Sequence, residues 1–244
     1  MKRQKIRNLL LLISFLLFPI TQFYFSPYII IAGAFEGVIT GSFILFSLMF
    51  LGSIFVGRIF CGWVAPCGSL QEMCCSVNGN CAKGGKLNLI KYFIWIPWLL
   101  IIAGAVVQYG GYRTINPLFY IENGISISHP WAYIIYYGVI ILFVTIPLIF
   151  GKRAACHYIC WMSPFMIMGI KLRKFLHLPG LHIVCDKTKC KSCNLCSKAC
   201  PMSLNVKEMV LTGAFDHEEC ILCGKCIDVC KSKTLKFKFG KFKK

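Results

Sequence analysis

Four stretches of the chain stay apolar for about 20 residues, the length an α-helix needs to cross a hydrocarbon core. They run from Leu9 to Ile31, Val38 to Val56, Leu89 to Tyr109 and Trp131 to Phe150. Pro19, Thr21, Gln22 and Pro27 interrupt the first, which is therefore predicted to be kinked or partly interfacial, its freed backbone groups satisfied by neighbouring helices. From Leu181 onward the pattern changes to short polar runs dense in cysteine. Near the end, Leu235, Phe237 and Phe239 alternate with Lys236 and Lys238, the two-residue period of a short strand with one apolar face. The expected architecture is an α-helical membrane domain of four transmembrane helices over residues 1–180, then a small α+β domain over 181–244.

Composition agrees. The chain is 57% hydrophobic and only 15% charged, with mean hydropathy +0.67. Its net charge of +18 comes from 27 Lys+Arg against 9 Asp+Glu. In so apolar a chain, that excess points to the cytoplasmic side of a bilayer and its anionic headgroups and away from nucleic acid. Lys2, Arg3, Lys5 and Arg7 precede the first span; Arg58, Lys83, Lys86 and Lys91 fall between the second and third; a long basic series starts at Lys152 and Arg153 after the fourth. The two remaining connections hold only Arg113. The positive-inside rule then predicts a multi-pass cytoplasmic (inner) membrane protein with both termini and the middle loop in the cytoplasm. A competing reading takes the basic start, the apolar stretch and Ala32–Ala34 as a cleaved signal peptide, although the apolar part is long for one and contains two prolines.

All sixteen cysteines then lie on the reducing side, which argues against a disulfide framework. Cys190-x2-Cys193-x2-Cys196-x3-Cys200-Pro201 is repeated as Cys220-x2-Cys223-x2-Cys226-x3-Cys230. In this run three closely spaced thiolates wrap one cubane and the fourth crosses to the other. Cys190, Cys193, Cys196 and Cys230 are thus expected to bind one [4Fe–4S] cluster, and Cys220, Cys223, Cys226 and Cys200 the second. Zinc also takes C-x2-C pairs, but two three-cysteine loops match tetrahedral closure poorly. This segment resembles the bacterial two-cluster ferredoxins over about residues 185–240, with Lys231 where a proline commonly follows the fourth cysteine. Cys185 fits no ligand position and reads as a structural thiol.

Two further motifs mirror each other at helix exits. Gly57–Arg58 leads to Cys61, Trp63, Pro66 and Cys67; Gly151 and Arg153 lead to Cys156, Cys160, Trp161 and Pro164. They predict a pseudo-symmetric pair of helical hairpins. With these residues the whole chain resembles the membrane-anchored polyferredoxin family: the NapH-type quinol-dehydrogenase ferredoxin subunit and the related nitrous-oxide-reductase accessory and copper-reductase proteins. The resemblance implies four or more spans, two cytoplasmic Cys-x3-Cys-Pro motifs and a terminal two-cluster domain. Here Ala65 stands where the second cysteine of the first motif is expected and Cys67 follows Pro66; in the second, Trp161 replaces the proline. Cys61, Cys67, Cys156 and Cys160 have the ligand count of a third iron–sulfur cluster, or are small helix-end residues or a reversible thiol pair.

The expected function is membrane-bound iron–sulfur electron transport, relaying electrons between a cytoplasmic donor or acceptor and a membrane partner or the quinone pool; the alternative is a redox-sensing or metalloenzyme-maturation accessory, including a copper-reductase-like role. An electron-transfer subunit fits better than a stand-alone enzyme, because no bond-making residue stands out and no dinucleotide or Walker motif is present. Lys189, Lys191, Lys198, Lys225 and Lys231 surround the terminal cysteines as a docking surface for an acidic soluble redox partner or as ordinary surface charge. The terminal lysines also suit an anionic leaflet. Cys74, Cys75 and Cys81 lack a ligand spacing. His157 is read as a capping histidine or a quinone or metal contact, and Arg113, Glu122 and His129 as outer loop residues or a quinol site.

Overall fold

The computed structural model describes residues 2–241 apart from 123, 214 and 216, so the tail's Lys243 and Lys244 lie outside it. Helix α1 (Lys2–Leu16) gives way to the one-turn α2 (Phe18–Thr21), a 3-10 turn over Gln22–Phe25 and α3 (Pro27–Phe35). The axis bends by 59° between α1 and Phe18–Phe25. Pro19 and Pro27 fall in the first turns of α2 and α3, where a missing N–H removes no helical hydrogen bond. The first apolar stretch is therefore broken where its prolines predict.

The second stretch corrects its expectation. Val38–Thr40 form strand β1, paired in parallel with β2 (Thr114–Asn116), and the Thr40 side chain accepts the Phe43 amide at 3.3 Å to start α4 (Gly41–Val56). What remains is a 16-residue helix, about 24 Å long, short of a full hydrocarbon thickness. Beyond Gly57 come the short α5 (Ile59–Trp63) and α6 (Pro66–Val77), then α7 (Ile90–Tyr109), entered through a 3-10 turn at Gly85–Leu89, and α8 (Pro130–Phe150). By length and composition, two helices among the described residues can cross a membrane, Gly85–Tyr109 and Pro130–Phe150, or three if α1 and its bent continuation count as one. Their outward faces leave Phe93, Val107, Trp131 and Ile149 bare, an apolar surface that water does not favour and lipid does.

After α8 the chain repeats the design of its first half. A long helix ends at a glycine, a five-residue helix follows, α9 (Ala154–Tyr158), and a proline in the first turn opens α10 (Ser163–Phe175). Gly151 has φ +98°, and a Cβ there would sit 2.5 Å from the Asn80 carbonyl oxygen, so only glycine makes this exit. The halves pack crosswise, α4 against α10 and α8 against α6. This is the pseudo-symmetric pair of hairpins that the mirrored motifs predict.

The terminal residues form an antiparallel pair, β3 (Gly180–Cys185) with β4 (Leu235–Gly240), in register Ile183↔Phe237 and Cys185↔Leu235. The tail is thus the strand its alternation predicts, with Leu235 buried and Lys236 and Lys238 exposed. Between the strands lie α11 (Leu195–Ala199), α12 (Val206–Leu211) and α13 (Lys225–Asp228). One apolar core runs from Phe46 and Trp98 through Cys61, Cys156 and Met166 to Ile183, Met202 and Ile221, crossing the 180/181 boundary without a break.

Candidate functional site

The two terminal cysteine runs fold alike. Ser192, Asn194 and Ser203 have positive φ, and so do Leu222, Gly224 and Lys233, each thirty positions later. Alternating right- and left-handed backbone of this kind turns successive N–H groups inward, a concavity suited to an anion. The loops enclose two separate cavities. One is lined by Cys190, Cys193, Cys196 and Cys230; the other by Cys200, Cys220, Cys223 and Cys226. The structure so brings together the two quartets that the spacing pairs, including the crossed fourth cysteines. Among the described residues no three His, Cys, Asp or Glu side chains converge as a single ion would require; a cubane instead spreads its thiolates over separate irons.

The quartets differ in surroundings. Cys193 of the first is exposed, whereas Cys200, Cys223 and Cys226 of the second are buried. Burial pushes the Cys200 thiol up to about 11 and Cys220 to about 12, so bare thiolates are disfavoured there without a cationic partner. Cys185 ends β3 outside both cavities and is half-buried.

Cys61, Cys67, Cys156 and Cys160 are all at most 5% exposed and come from α5, α6, α9 and the turn after it. They gather at the crosswise junction of the two halves. Burial raises Cys67 most, with the charges of Cys160, Cys156 and Cys61 adding to it, and burial pushes Cys160 to about 12 with Cys156 and Cys61 contributing. The displaced Cys67 sits in the first turn of α6, packed with Phe18, Leu70 and Phe143 yet close enough to feel the charges of Cys160, Cys156 and Cys61. Gln71 fixes Cys156 from both sides, its Nε2 donating to Sγ at 3.0 Å and its Oε1 accepting the Cys156 amide at 3.2 Å. Met166 Sδ lies 3.8 Å from Cys61 Sγ.

This junction abuts the inner cavity. A Cβ on Gly62 would lie 2.2 Å from the Ile221 carbonyl oxygen, and Trp63 Nε1 donates to the Leu222 carbonyl at 3.1 Å. The Cys61–Trp63 turn thus rests on the Cys220–Cys223 loop.

Two carboxylates lock the contact. Glu72 accepts from Arg7 at 2.8 Å and Arg153 at 3.0 Å and also pairs with Lys225 of the terminal domain. Burial opposes its charge, but Arg153, Arg7 and Lys225 hold its carboxyl far below the usual range. Glu219 pairs with Arg58 and Lys91; burial opposes its charge too, and the two cations outweigh it, bringing the carboxyl to about 2. Arg3 and Gln4 bond Asp228 at 2.5 and 2.6 Å, placing the start of α1 beside the same domain. Arg7, Arg58, Lys91 and Arg153 are fully buried against only these two carboxylates, an excess of two positive charges (4 − 2) around the thiols. A four-thiolate cubane is an anion, so the residues present fit such a group.

Sequence reading missed Glu72, Glu219 and Gln71; the available signal was the rarity of acids, nine in a chain of net charge +18. Lys225 is paired with Glu72 and Lys189 with Asp186 at 2.8 Å, while Lys191, Lys198 and Lys231 are exposed. His157 is buried, its Nε2 3.1 Å from the Met202 carbonyl; burial lowers its pKa to about 4. The outer residues do not form one group: Glu122 and His129 pair at 3.1 Å on the surface, and Arg113 stacks on Tyr109. Cys74 is buried, Cys75 half-buried and Cys81 exposed.

A family profile described as "4Fe-4S dicluster domain" matches residues 189–235, and one described as "4Fe-4S binding domain" matches residues 38–74. An uncharacterized protein of Methanocaldococcus jannaschii is 27% identical over 231 residues, covering 89% of this chain and 80% of its own. The ferredoxin-type protein NapH of Haemophilus influenzae is 23% identical, covering 74% and 62%, and the putative electron transport protein YccM of Escherichia coli is 24% identical, covering 91% and 63%. No solved structure matches. By its paired 4Fe-4S profiles, apolar helices and these relatives, the chain is similar to membrane-associated polyferredoxin-type proteins.

Proposed function

We propose that this is a membrane-bound iron–sulfur electron-transfer protein with three centres arranged from solvent to bilayer. The observation that carries the reading is the contact of the Cys61–Trp63 turn with the Cys220–Cys223 loop, which sets a third cysteine quartet beside the inner of two cysteine-lined cavities. Cys190, Cys193, Cys196 and Cys230 would hold the outer [4Fe–4S] cluster, Cys200, Cys220, Cys223 and Cys226 the inner one, and Cys61, Cys67, Cys156 and Cys160 a third at the membrane edge. When bound, these groups supply one-electron transfer without bond making or proton movement. The chain's residues hold the cavities in line, exclude water from the inner two and supply buried positive charge.

The exposed quartet is the entry or exit for a soluble partner, with Lys191, Lys198 and Lys231 attracting an acidic one. On the bilayer side, an aromatic cavity of about 500 Å³ between α3, α4, α7 and α10 is lined by Phe46, Trp95, Trp98 and Phe165. Phe165 precedes Met166, which touches Cys61. That proximity supports exchange with a lipid-soluble carrier such as a quinone. Residues 1–180 act as the anchor and 181–244 as the cluster domain. In the anchor, α1 with α2, α7 and α8 serve as crossings, and α4 makes a fourth with the extended Val38–Thr40 adding about 10 Å to its length, while the basic loops place both ends and all the cysteines in the cytoplasm. The buried Arg7–Glu72 pair makes the first segment part of the working fold.

Iron analysis of anaerobically purified protein tests the reading. About twelve irons per chain are expected; about eight would confine the clusters to the terminal domain and remove the third centre.

A further inference from the structure

Arg58 and Arg153 occupy the same place in the two halves, each immediately before the five-residue helix that carries a candidate cysteine ligand, and each fully buried. They spend their donors differently. Arg153 uses Nε and Nη2 on Glu72 at 3.3 and 3.0 Å, Nη1 on the Cys61 carbonyl at 3.0 Å and Nη2 also on the Gly68 carbonyl at 3.3 Å. It is a structural clamp. Arg58 places Nη1 on Glu219, while its Nε and Nη2 are buried with no nitrogen or oxygen partner and face the Cys61 thiol. A buried guanidinium with two idle donors is costly unless something at the site accepts from them.

Around Arg58 the charged or titratable groups are Glu219, Lys91, Tyr92, His157 and the thiols of Cys61, Cys156, Cys160 and Cys220, and Tyr92 makes no hydrogen bond to it. Glu219 is already shared between Arg58 and Lys91, and His157 Nδ1 is itself without a partner. The remaining acceptors are His157 Nδ1, whose ring donates from Nε2 to the Met202 carbonyl, and the sulfurs, of which the Cys61 thiol lies in hydrogen-bonding reach of Arg58. We infer that Arg58 is the potential-setting residue of the membrane-edge centre, its Nε and Nη2 donating to sulfur at the group held by Cys61, Cys67, Cys156 and Cys160. This rests on the proposal that those cysteines hold an iron–sulfur cluster. One-electron reduction adds one negative charge there and breaks no bond. A fixed cation and two N–H donors stabilise the reduced form more than the oxidised one, so the midpoint of this centre is raised. Lysine cannot replace arginine here: one ammonium can hold Glu219 but lacks the planar fork that also reaches the sulfurs.

The test is an EPR-monitored redox titration of the full-length protein in detergent, with iron content measured on the same samples. Arg58→Lys keeps the charge and the Glu219 pair; the triple variant Arg58→Gln/Lys91→Met/Glu219→Gln removes the whole buried charge cluster, a net loss of one positive charge, and strands none of its members. In both, at the wild-type midpoint of the membrane-edge centre, the reduced-to-oxidised ratio is expected to fall about tenfold, which is about 59 mV for one electron. The outer cluster at Cys190, Cys193, Cys196 and Cys230 should not move. Twelve irons with a ratio changed less than twofold, or a midpoint that rises, would overturn the role of Arg58 while leaving the third centre standing. Wild-type protein with eight irons would overturn the third centre and this role with it.

Discussion

Glu72→Gln is the most informative single substitution in the junction. Glutamine keeps the shape and one carbonyl acceptor of Glu72 but removes the charge shared by two fully buried guanidiniums, Arg7 at 2.8 Å and Arg153 at 3.0 Å. Stripping one partner from a buried ion pair costs about 3–5 kcal/mol, because the other charge stays buried without compensation. Both pairs share one carboxylate and are not additive, so we expect a loss of about 4 kcal/mol. The third cation, Lys225, is 31% exposed and screened by water, so Lys225→Met should cost less than about 1 kcal/mol. For a chain of this length 1 kcal/mol moves Tm by about 2–4 °C. Thermal unfolding in detergent should then show a drop of about 8–16 °C for Glu72→Gln and no more than about 4 °C for Lys225→Met. A Glu72→Gln protein melting within about 3 °C of wild type, or one no worse than Lys225→Met, would refute the view that this carboxylate is the buried counter-charge of the junction.

Two further outcomes follow from the same geometry. Gly62→Val places a side chain where even a Cβ would lie 2.2 Å from the Ile221 carbonyl oxygen, so the terminal domain should lift and limited proteolysis after residue 180 should quicken roughly tenfold; wild-type cleavage kinetics would show that the close approach does not hold the domain. Replacing the exposed Lys191, Lys198 and Lys231 with glutamine should slow reduction by an acidic soluble donor about tenfold at low ionic strength, with the two proteins converging as salt rises; stopped-flow rates that ignore both salt and substitution would exclude docking at this face.

Much of the terminal domain was legible in the chain itself. The three-cysteine runs and their crossed fourth members foretell which cysteines line each cavity, because the two-residue gaps between cysteines and the thirty-residue repeat are features of the sequence itself. The alternation of Leu235 and Phe237 with lysines likewise contains its strand, since a period of two is a property of the strand itself. The second span was over-read: hydropathy saw Val38 to Val56 as one apolar run and had no means of seeing that Val38–Thr40 would find a parallel partner at Thr114–Asn116, more than seventy residues away.

The membrane-edge cysteines show the division most clearly. Sequence alone placed Cys61, Cys67, Cys156 and Cys160 at two similar helix exits, and the departure of Cys67 from the family spacing left its part undecided. Only the crosswise packing of α4 on α10 and α6 on α8 buries the four thiols at one junction, and only the fit of Gly62 against Ile221 sets that junction beside the inner terminal cavity. The buried charges follow the same rule. Arg7, Glu72, Lys91 and Glu219 are unremarkable in sequence because an ion pair spanning sixty-five or more positions leaves no local trace. Cysteine spacing and hydropathy are short-range properties that the chain carries by itself; charge compensation and the placing of the cysteine groups relative to one another arise only when distant segments share one dry interior.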